Sequence, residues 1–593
     1  MKVRFLDGER FRNAFVAGTM ALERRREHLN SINVFPVPDG DTGNNMAATC
    51  RCIAERTVVS KSIGVTAASM AEAALAGARG NSGIIFCQYL YGLSQSLRRQ
   101  TAPDAHAFAE SLVAAVPYAE EALHTPVEGT ILTVMRDWAK AVSELSRTVA
   151  DFAVLLPSSL SAAKASLLET PRKLEVLARE KVVDAGAQGF VDFLEGIAEF
   201  IEKGSLKHIV LPRAPLPPEH VEEHPHEEMP EHRYCTEAIL EGGAFSRTEL
   251  LEELSSYGDS VVVGGGEGRY RIHLHTDRPA ELFERLAQRG TLNEQKVDDM
   301  RRQVETKTHR LSPIALVTDS SCDLPPALLD RYRIHTLPLK LSFGGSTYLD
   351  KATIHPSGVY RILRETRNSM TTSQPGFTEF ASLYSFLAAH HDAVVAVHLS
   401  AALSGTWSAG SKAAASVDKE KIRVLDSRTL CSSLGLLVLK AAEAIEEGKS
   451  AEEVVEIVER AVPRTRIFAG LSTLEYMVRG GRIRPIAGFV AGLLRLVPII
   501  TVDSQGRGTH YGKPGTERSN RKKIIAAFKE LVERRGLWKY AVVHADAREK
   551  AEHLAAELAE FAGGPPAYIM EIAPVIGINS GPGSIAVSMI LEN

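Results

Sequence analysis

The sequence predicts a multidomain protein: an all-helical first part, a small α+β segment, and an α/β part that follows it. Three observations carry this reading. The chain has 593 residues, well beyond the roughly 250–300 at which single cores stop growing. Residues 1–205 carry Ala- and Leu-rich segments at helical spacing, such as "AASMAEAALAGA", "AFAESLVAAVPYAEEAL" and "GFVDFLEGIAEFIEK", with Gly, Pro, Asp and Asn between them. In 311–593, strand patterns such as "DAVVAVHLS" and "KIRVLDS" alternate with amphipathic helices.

Between these parts lies a stretch at 206–232, containing "LPPEHVEEHPHEEMPEH". It has almost nothing to bury and reads as a linker, its histidines as part of a solvated spacer rather than a metal site. In 233–310, "SVVVGGGEGRYRIHLHT" reads as two strands joined by a Gly-rich turn, a hairpin rather than a phosphate loop. The stretch "LNEQKVDDMRRQVETKT" after it reads as helical.

Composition sets outer bounds. A hydrophobic share of 44% and a charged share of 24% are those of a globular protein. A net charge of −4 gives no global electrostatic case for nucleic acid. The 6 cysteines form no CxxC pair, which suits a reducing cytoplasm better than a disulfide framework. The opening "MKVRFLDGERFRNAF" is too charged for a secretory signal. The longest apolar run, Ile486 to Val502, is broken by Arg495 and Pro498, short of the ~20 residues a membrane span needs. A cytoplasmic protein without a membrane span is expected.

The most informative loop is "NVFPVPDGDTGNNM", at 33–46. Asp39 and Asp41 flank Gly40 on a segment that Pro36 and Pro38 hold extended. Carboxylates two apart on a turn suit a hard cation. A calcium loop of the EF-hand type fails, because Gly43 and Cys50 fall where oxygen ligands belong. Magnesium with nucleotide phosphates, or an Asp-Gly turn capping a helix that starts near Asn44, remain open on local chemistry.

That loop is followed in order by "GARGNSGIIFCQYL", "TPVEGTILTVMRD" and "VVDAGAQGFVDFLEG". Together the four stretches resemble the nucleotide-binding domain of the dihydroxyacetone kinase L-subunit family, most closely its fatty acid kinase branch. The resemblance implies an all-α helical barrel whose loops hold ATP through Mg2+. It implies Asp39 and Asp41 as metal ligands, with Asn33 as an approximate third. It also implies Thr42, Gly43, Asn44 and Asn45 as a phosphate-contacting turn, Asn81 and Ser82 as a second loop, Thr130 as a third, and Asp184, Ala185 and Gly186 as a fourth. Small residues and helix N-termini suit phosphates. The chain has no G-x-x-x-x-G-K-[ST], so ATP would be held without a P-loop lysine.

In "RYRIHLHTD", alternation puts Tyr270, Ile272 and Leu274 on one strand face and Arg271, His273 and His275 on the other. With Cys235 of "YCTEAIL", the two histidines could hold zinc with a fourth position open; a solvated face beside a buried cysteine is the plainer alternative. "YCTEAIL" and "IHLHTDRP" resemble the middle domain of fatty acid kinases, which implies metal binding and phosphoryl transfer at these residues.

In the last part, "TTSQPGF", "LSAALSGTWSAG" and "GINSGPGS" are Gly- and hydroxyl-rich turns that could converge on an anion. No G-x-S-x-G elbow supports a serine hydrolase. With "LVTDSSCDLP" and "LEYMVRGGRIRP", the region resembles the DegV family. That implies a two-subdomain α/β fold with a fatty acid in an apolar tunnel, partly lined by "GFVAGLLRLVPII". Thr372 and Ser404 would bind its carboxylate. Asn579 stands where the family usually has His, so it can donate one hydrogen bond but carries no charge. Arg518 and Arg521 of "ERSNRKK" are candidates for phosphate or domain contacts, or a solvated helix start.

The expectation is therefore an ATP- and magnesium-dependent kinase that converts a bound fatty acid to an acyl phosphate feeding phospholipid synthesis, with kinase and acyl carrier fused. Its partners would be the fatty acid, an acyltransferase that uses acyl phosphate, and a second copy of the chain in a homodimer. A dihydroxyacetone-type kinase with a regulatory DegV-like part, and a non-catalytic lipid-binding or lipid-sensing protein, are the alternatives.

Overall fold

The computed structural model describes residues 2–36, 40–202, 229–243, 245–365, 370–480 and 497–592. The linker is thus almost wholly outside the described residues, as are Asp39 and most of "GFVAGLLRLVPII". By packing, the chain divides into two units: Met1–Pro279 with Arg289–Val304, and Ala280–Gln288 with Glu305–Asn593.

The first unit opens with α1 (Gly8–Arg24), α2 (Arg26–Ser31), α3 (Thr42–Arg56), α4 (Ile63–Gly77), α5 (Gly80–Leu97), α6 (Ala105–Glu120), α7 (Ile131–Ser146), α8 (Phe152–Lys173), α9 (Glu175–Glu180) and α10 (Ala185–Glu202). Start signals are legible: Asp7, Asp104 and Asp151 accept backbone N–H bonds at the heads of α1, α6 and α8. The long helices neighbour one another in a closed ring, α1–α3–α4–α5–α6–α7–α8–α10 and back to α1. Apolar side chains such as Phe15, Phe86, Trp138, Phe190 and Phe193 fill the inside, mostly edge to face. An apolar pocket open to solvent remains among them.

The same unit continues with β1 (Tyr234–Glu241), α11 (Arg247–Ser255), β2 (Gly258–Gly266), β3 (Arg269–Thr276) and β4 (Thr291–Asp299), in the sheet order β2-β3-β1-β4. The Gly-rich hairpin is as expected: Glu267 and Gly268 both take positive φ between β2 and β3, the conformation a two-residue turn demands. "LNEQKVDDMRRQVETKT" is corrected. Its first half is strand β4, antiparallel to β1, and only Met300–Thr308 is helical. Its Leu, Glu, Gln and Lys favour helix weakly, and pairing to β1 overrides that preference.

The sheet packs directly on the helices of the same unit. Gly265 N–H donates to Gln88 Oε1 at 2.7 Å and Val263 N–H to the Ala122 carbonyl at 2.8 Å. Gly264 lies so close to α5 that a Cβ there would fall 2.9 Å from Ile84.

The second unit has a parallel sheet in the order Ile422–Asp426, Ala393–His398, Ile314–Asp319 and His335–Leu337. A mixed sheet follows, in the order Gly508–Gly515, Val497–Val502, Thr465–Gly470, Ile585–Leu591, Leu537–His544 and Ile569–Glu571. Each has its own apolar core. Among the described residues, no helix is long and apolar enough to cross a membrane.

Candidate functional site

The loop before α3 is built to leave its carboxylate available. Asp41 occupies the N-cap position, yet its side chain makes no capping bond; Asn30 Oδ1 accepts the Asn44 N–H instead, at 3.1 Å. Thr42 Oγ1 donates to Asn33 Oδ1. Gly43 is required by crowding, since a Cβ there would lie 2.1 Å from the Arg26 carbonyl oxygen. The helix begins at Thr42, two residues before the expected start.

The second loop comes against the first. Gly80 opens α5 with φ +59°, and a Cβ on it would lie 2.5 Å from Asn45 Nδ2. The fourth loop touches the second, because a Cβ on Gly186 would fall 2.5 Å from Ser82 Oγ. Asp184, just before α10, is buried and accepts the Ala187 N–H at 2.7 Å. Burial raises its carboxyl to about 6 against the pull of its backbone hydrogen bonds.

A pocket of about 390 Å³ is lined by Asn33, Phe35, Pro36, Asp41, Thr42, Asn45, Gly80, Asn81, Ser82, His273 and His275. It therefore brings together residues from the first two loops and both histidines of the middle sheet. Gly43, Asn44, Thr130, Asp184, Ala185 and Gly186 do not line it. Thr130 precedes α7 and donates to the Val127 carbonyl at 2.8 Å. Asp39 lies outside the described residues. Asn81 Oδ1 is buried without a hydrogen-bond partner, a polar atom fit for a ligand.

Strand register explains the second half of the site. Cys235 pairs with His275 and Glu237 with His273; across β1, Cys235 pairs with Asp298 and Glu237 with Lys296. Directly opposed residues share a face, so all six project from one side of the sheet. One potential ligand atom each from Cys235, His273 and His275 lies within 4.8 Å of the others. Cys235 Sγ lies 3.8 Å from His273 Nδ1, against roughly 3.3–3.8 Å between ligands of a tetrahedral zinc. His273 Nε2 and His275 Nδ1 are buried without hydrogen-bond partners; the latter lies 3.5 Å from Asp259 Oδ1. A soft thiol, two imidazoles and orphaned ring nitrogens fit a zinc-like ion.

Glu237 belongs to none of the constellations that stand out in the sequence. Its Oε1 accepts the Gly80 N–H at 2.7 Å and lies 3.4 Å from His273 Nδ1, while Oε2 pairs with Arg271 at 2.7 Å. Glu237 and Arg271 side chains are each only 1% exposed. Burial opposes the charge, but Arg271, the bond with His273 and Lys296 hold the carboxyl well below the usual range. The signal was present: Glu237 is two residues from Cys235, and alternation puts both on one face.

In the second unit, Ser404 Oγ and Thr406 Oγ1 share a hydrogen bond of 2.8 Å. A Cβ on the neighbouring Gly405 would lie 2.1 Å from Gln374 Oε1. The Ser404 turn thus meets the segment two residues past Thr372, itself paired with Leu341. Asn579 is placed differently. "GINSGPGS" ends a short helix, Pro574–Ser580, rather than following a strand. Asn579 Nδ2 donates to the Val575 carbonyl at 3.2 Å, and its Oδ1 is buried without a partner, close to Gly480. Arg518 is exposed on the first turn of Glu517–Arg535, and Arg521 pairs with Glu557.

This architecture is that of a multidomain protein with a helical DAK2 region and an α/β DegV-like region. Family models match residues 36–199 as a DAK2 domain, 231–307 as a FakA-like middle domain of fatty acid kinase, and 313–592 as an uncharacterised DegV-family protein. The chain thus joins all three in one polypeptide, matching a fatty acid kinase fused to a DegV-family domain. An uncharacterised protein of Staphylococcus saprophyticus is 35% identical over 318 residues, covering 51% of this chain and 57% of its own length. One from Staphylococcus aureus (strain bovine RF122) is 34% identical over 316 residues, covering 50% and 56%. The chain therefore spans little more than half the length of these relatives. A solved structure described as fatty acid binding of a DegV family protein from Thermus thermophilus is 31% identical, covering 47% of this chain and 99% of that one, with a TM-score of 0.44.

Proposed function

We propose that the chain is an ATP-dependent fatty acid kinase that carries its own acyl-binding domain and forms an acyl phosphate. The supporting observation is the shared pocket: Asp41, Asn45, Asn81 and Ser82 line one side and His273 and His275 another. Asp41, with Asp39 and Asn33, would hold magnesium, which when bound offsets phosphate charge. The backbone at Thr42 and Gly43 heads α3 and would offer N–H groups to phosphate oxygens, while the Asn44 N–H is held by Asn30. Cys235, His273 and His275 would hold zinc. The strand face keeps them in register, and Glu237 and Asp259 lie beside the two imidazoles.

The fatty acid enters this reading through the fatty acid kinase-like middle domain and the DegV-family region. Thr372 and Ser404 are the carboxylate ligands proposed. One N–H of the Asn579 amide is held by the Val575 carbonyl, which leaves its second N–H as the donor it would offer the acid. An acyltransferase would consume the acyl phosphate.

The test is incubation of the lipid-loaded protein with ATP, magnesium and hydroxylamine. Acyl hydroxamate is expected; co-purified fatty acid with no hydroxamate would favour the lipid-sensing alternative and overturn the kinase.

A further inference from the structure

We propose that Glu237 is a positioning residue that couples metal binding at Cys235, His273 and His275 to the nucleotide loop headed by Gly80. The proposal deepens the nucleotide-and-metal reading above and rests on it. One buried carboxylate oxygen, Oε1, serves both sides: it accepts the Gly80 N–H at 2.7 Å and lies 3.4 Å from His273 Nδ1. Gly80 has little freedom to turn away, because it takes φ +59° against Asn45 and begins a helix. Its amide direction is therefore tied to where Glu237 points.

At the other end, His273 Nδ1 faces both Glu237 Oε1, at 3.4 Å, and Cys235 Sγ, at 3.8 Å. If Nδ1–H donates to Glu237, the lone pair of His273 falls on Nε2, the ring atom that is buried and unpartnered. A metal on that imidazole makes Nδ1–H a stronger donor and stops the ring turning. That in turn holds Glu237, and with it the Gly80 amide, in one arrangement. A nucleotide then meets a loop already ordered and loses less freedom on binding. Arg271 supplies the counter-charge through Oε2, at 2.7 Å, leaving Oε1 to the two functional partners. A buried ion pair adds little stability over apolar side chains of similar size, which fits a role in the site.

Coupling of this kind is reciprocal: zinc must tighten nucleotide by the factor by which nucleotide tightens zinc. The full-length protein, freed of metal with a chelator or saturated with zinc, is titrated with magnesium and a non-hydrolysable ATP analogue. Zinc is expected to tighten the analogue about 10-fold in the wild type. In Glu237→Gln the difference should fall below about twofold at saturating zinc, with zinc itself bound about 10-fold more weakly. Undiminished coupling in zinc-loaded Glu237→Gln overturns the proposal.

Because the amide deprives Arg271 of its counter-charge, a wild-type measurement stands beside the variant. Zinc alone, without nucleotide, should slow hydrogen exchange of the peptide holding Gly80 by about fivefold or more. Unchanged exchange overturns the coupling. Analogue binding that is blind to zinc does the same and leaves the nucleotide site intact. A protein that binds no analogue in either state overturns the nucleotide reading itself.

Discussion

Asp41 heads α3 without using its carboxylate as a cap, so its removal should cost the fold little. Asp41→Ala is expected to lower ATP-dependent hydroxamate formation by about 10²–10³-fold, while lipid still co-purifies; loss of both together would mean the two sites are not separable. Gly80 is the opposite case, since an alanine there would combine positive φ with a 2.5 Å approach to Asn45. Gly80→Ala should lower stability by about 1–3 kcal/mol, read by urea unfolding. Asp184 gives a pH signature. Its folded carboxyl titrates at about 6, above the ordinary 3.8, so folding disfavours its ionised form. That penalty is absent below pH 3.8, grows up to about pH 6 and is constant above. Asp184→Asn should therefore raise the thermal midpoint at about pH 7.5 and leave it unchanged near about pH 3.5. An equal shift at both values would contradict the buried-charge account.

Among the elements, β1 and β3 show which parts of the site could be read from sequence. Two histidines and a cysteine could be placed on one face because strand alternation is local. Glu237 was open to the same rule. Its partners were not, because Gly80 lies 157 residues away in sequence and register across strands is set by long-range pairing. The reading of β4 as helix failed for a related reason: its residues favour helix, and only β1 beside it makes a strand. The heads of the helices were legible, since Asp caps act within three residues. Docking of the sheet on α5 was hidden, because a buried glutamine in a helix gives no hint of its acceptor role. Gln88 meets the Gly265 N–H at 2.7 Å. Gln88→Leu would strand that amide and should cost about 1–3 kcal/mol, seen as a lower urea midpoint.

For the whole molecule, two packed units predict two unfolding transitions in calorimetry. Magnesium with an ATP analogue should raise only the one belonging to the first unit. Fatty acid should raise only the other, by about 2.7 kcal/mol at a hundredfold excess over the dissociation constant. Ligands that shift both transitions together would show that the units unfold as one.

The composite pocket has a consequence for how the protein is made. Its lining runs from Asn33 to His275, whereas the last helix of the ring ends at Glu202. On the ribosome the last helix of the ring is synthesised roughly 70 residues ahead of the two histidines, a lead of about 4–15 s at ordinary elongation rates. A nascent or prematurely terminated chain would thus own the nucleotide loops without the imidazoles. Under the proposed function, phosphoryl chemistry would begin only once the middle strands had arrived, and an incomplete chain would not turn ATP over idly.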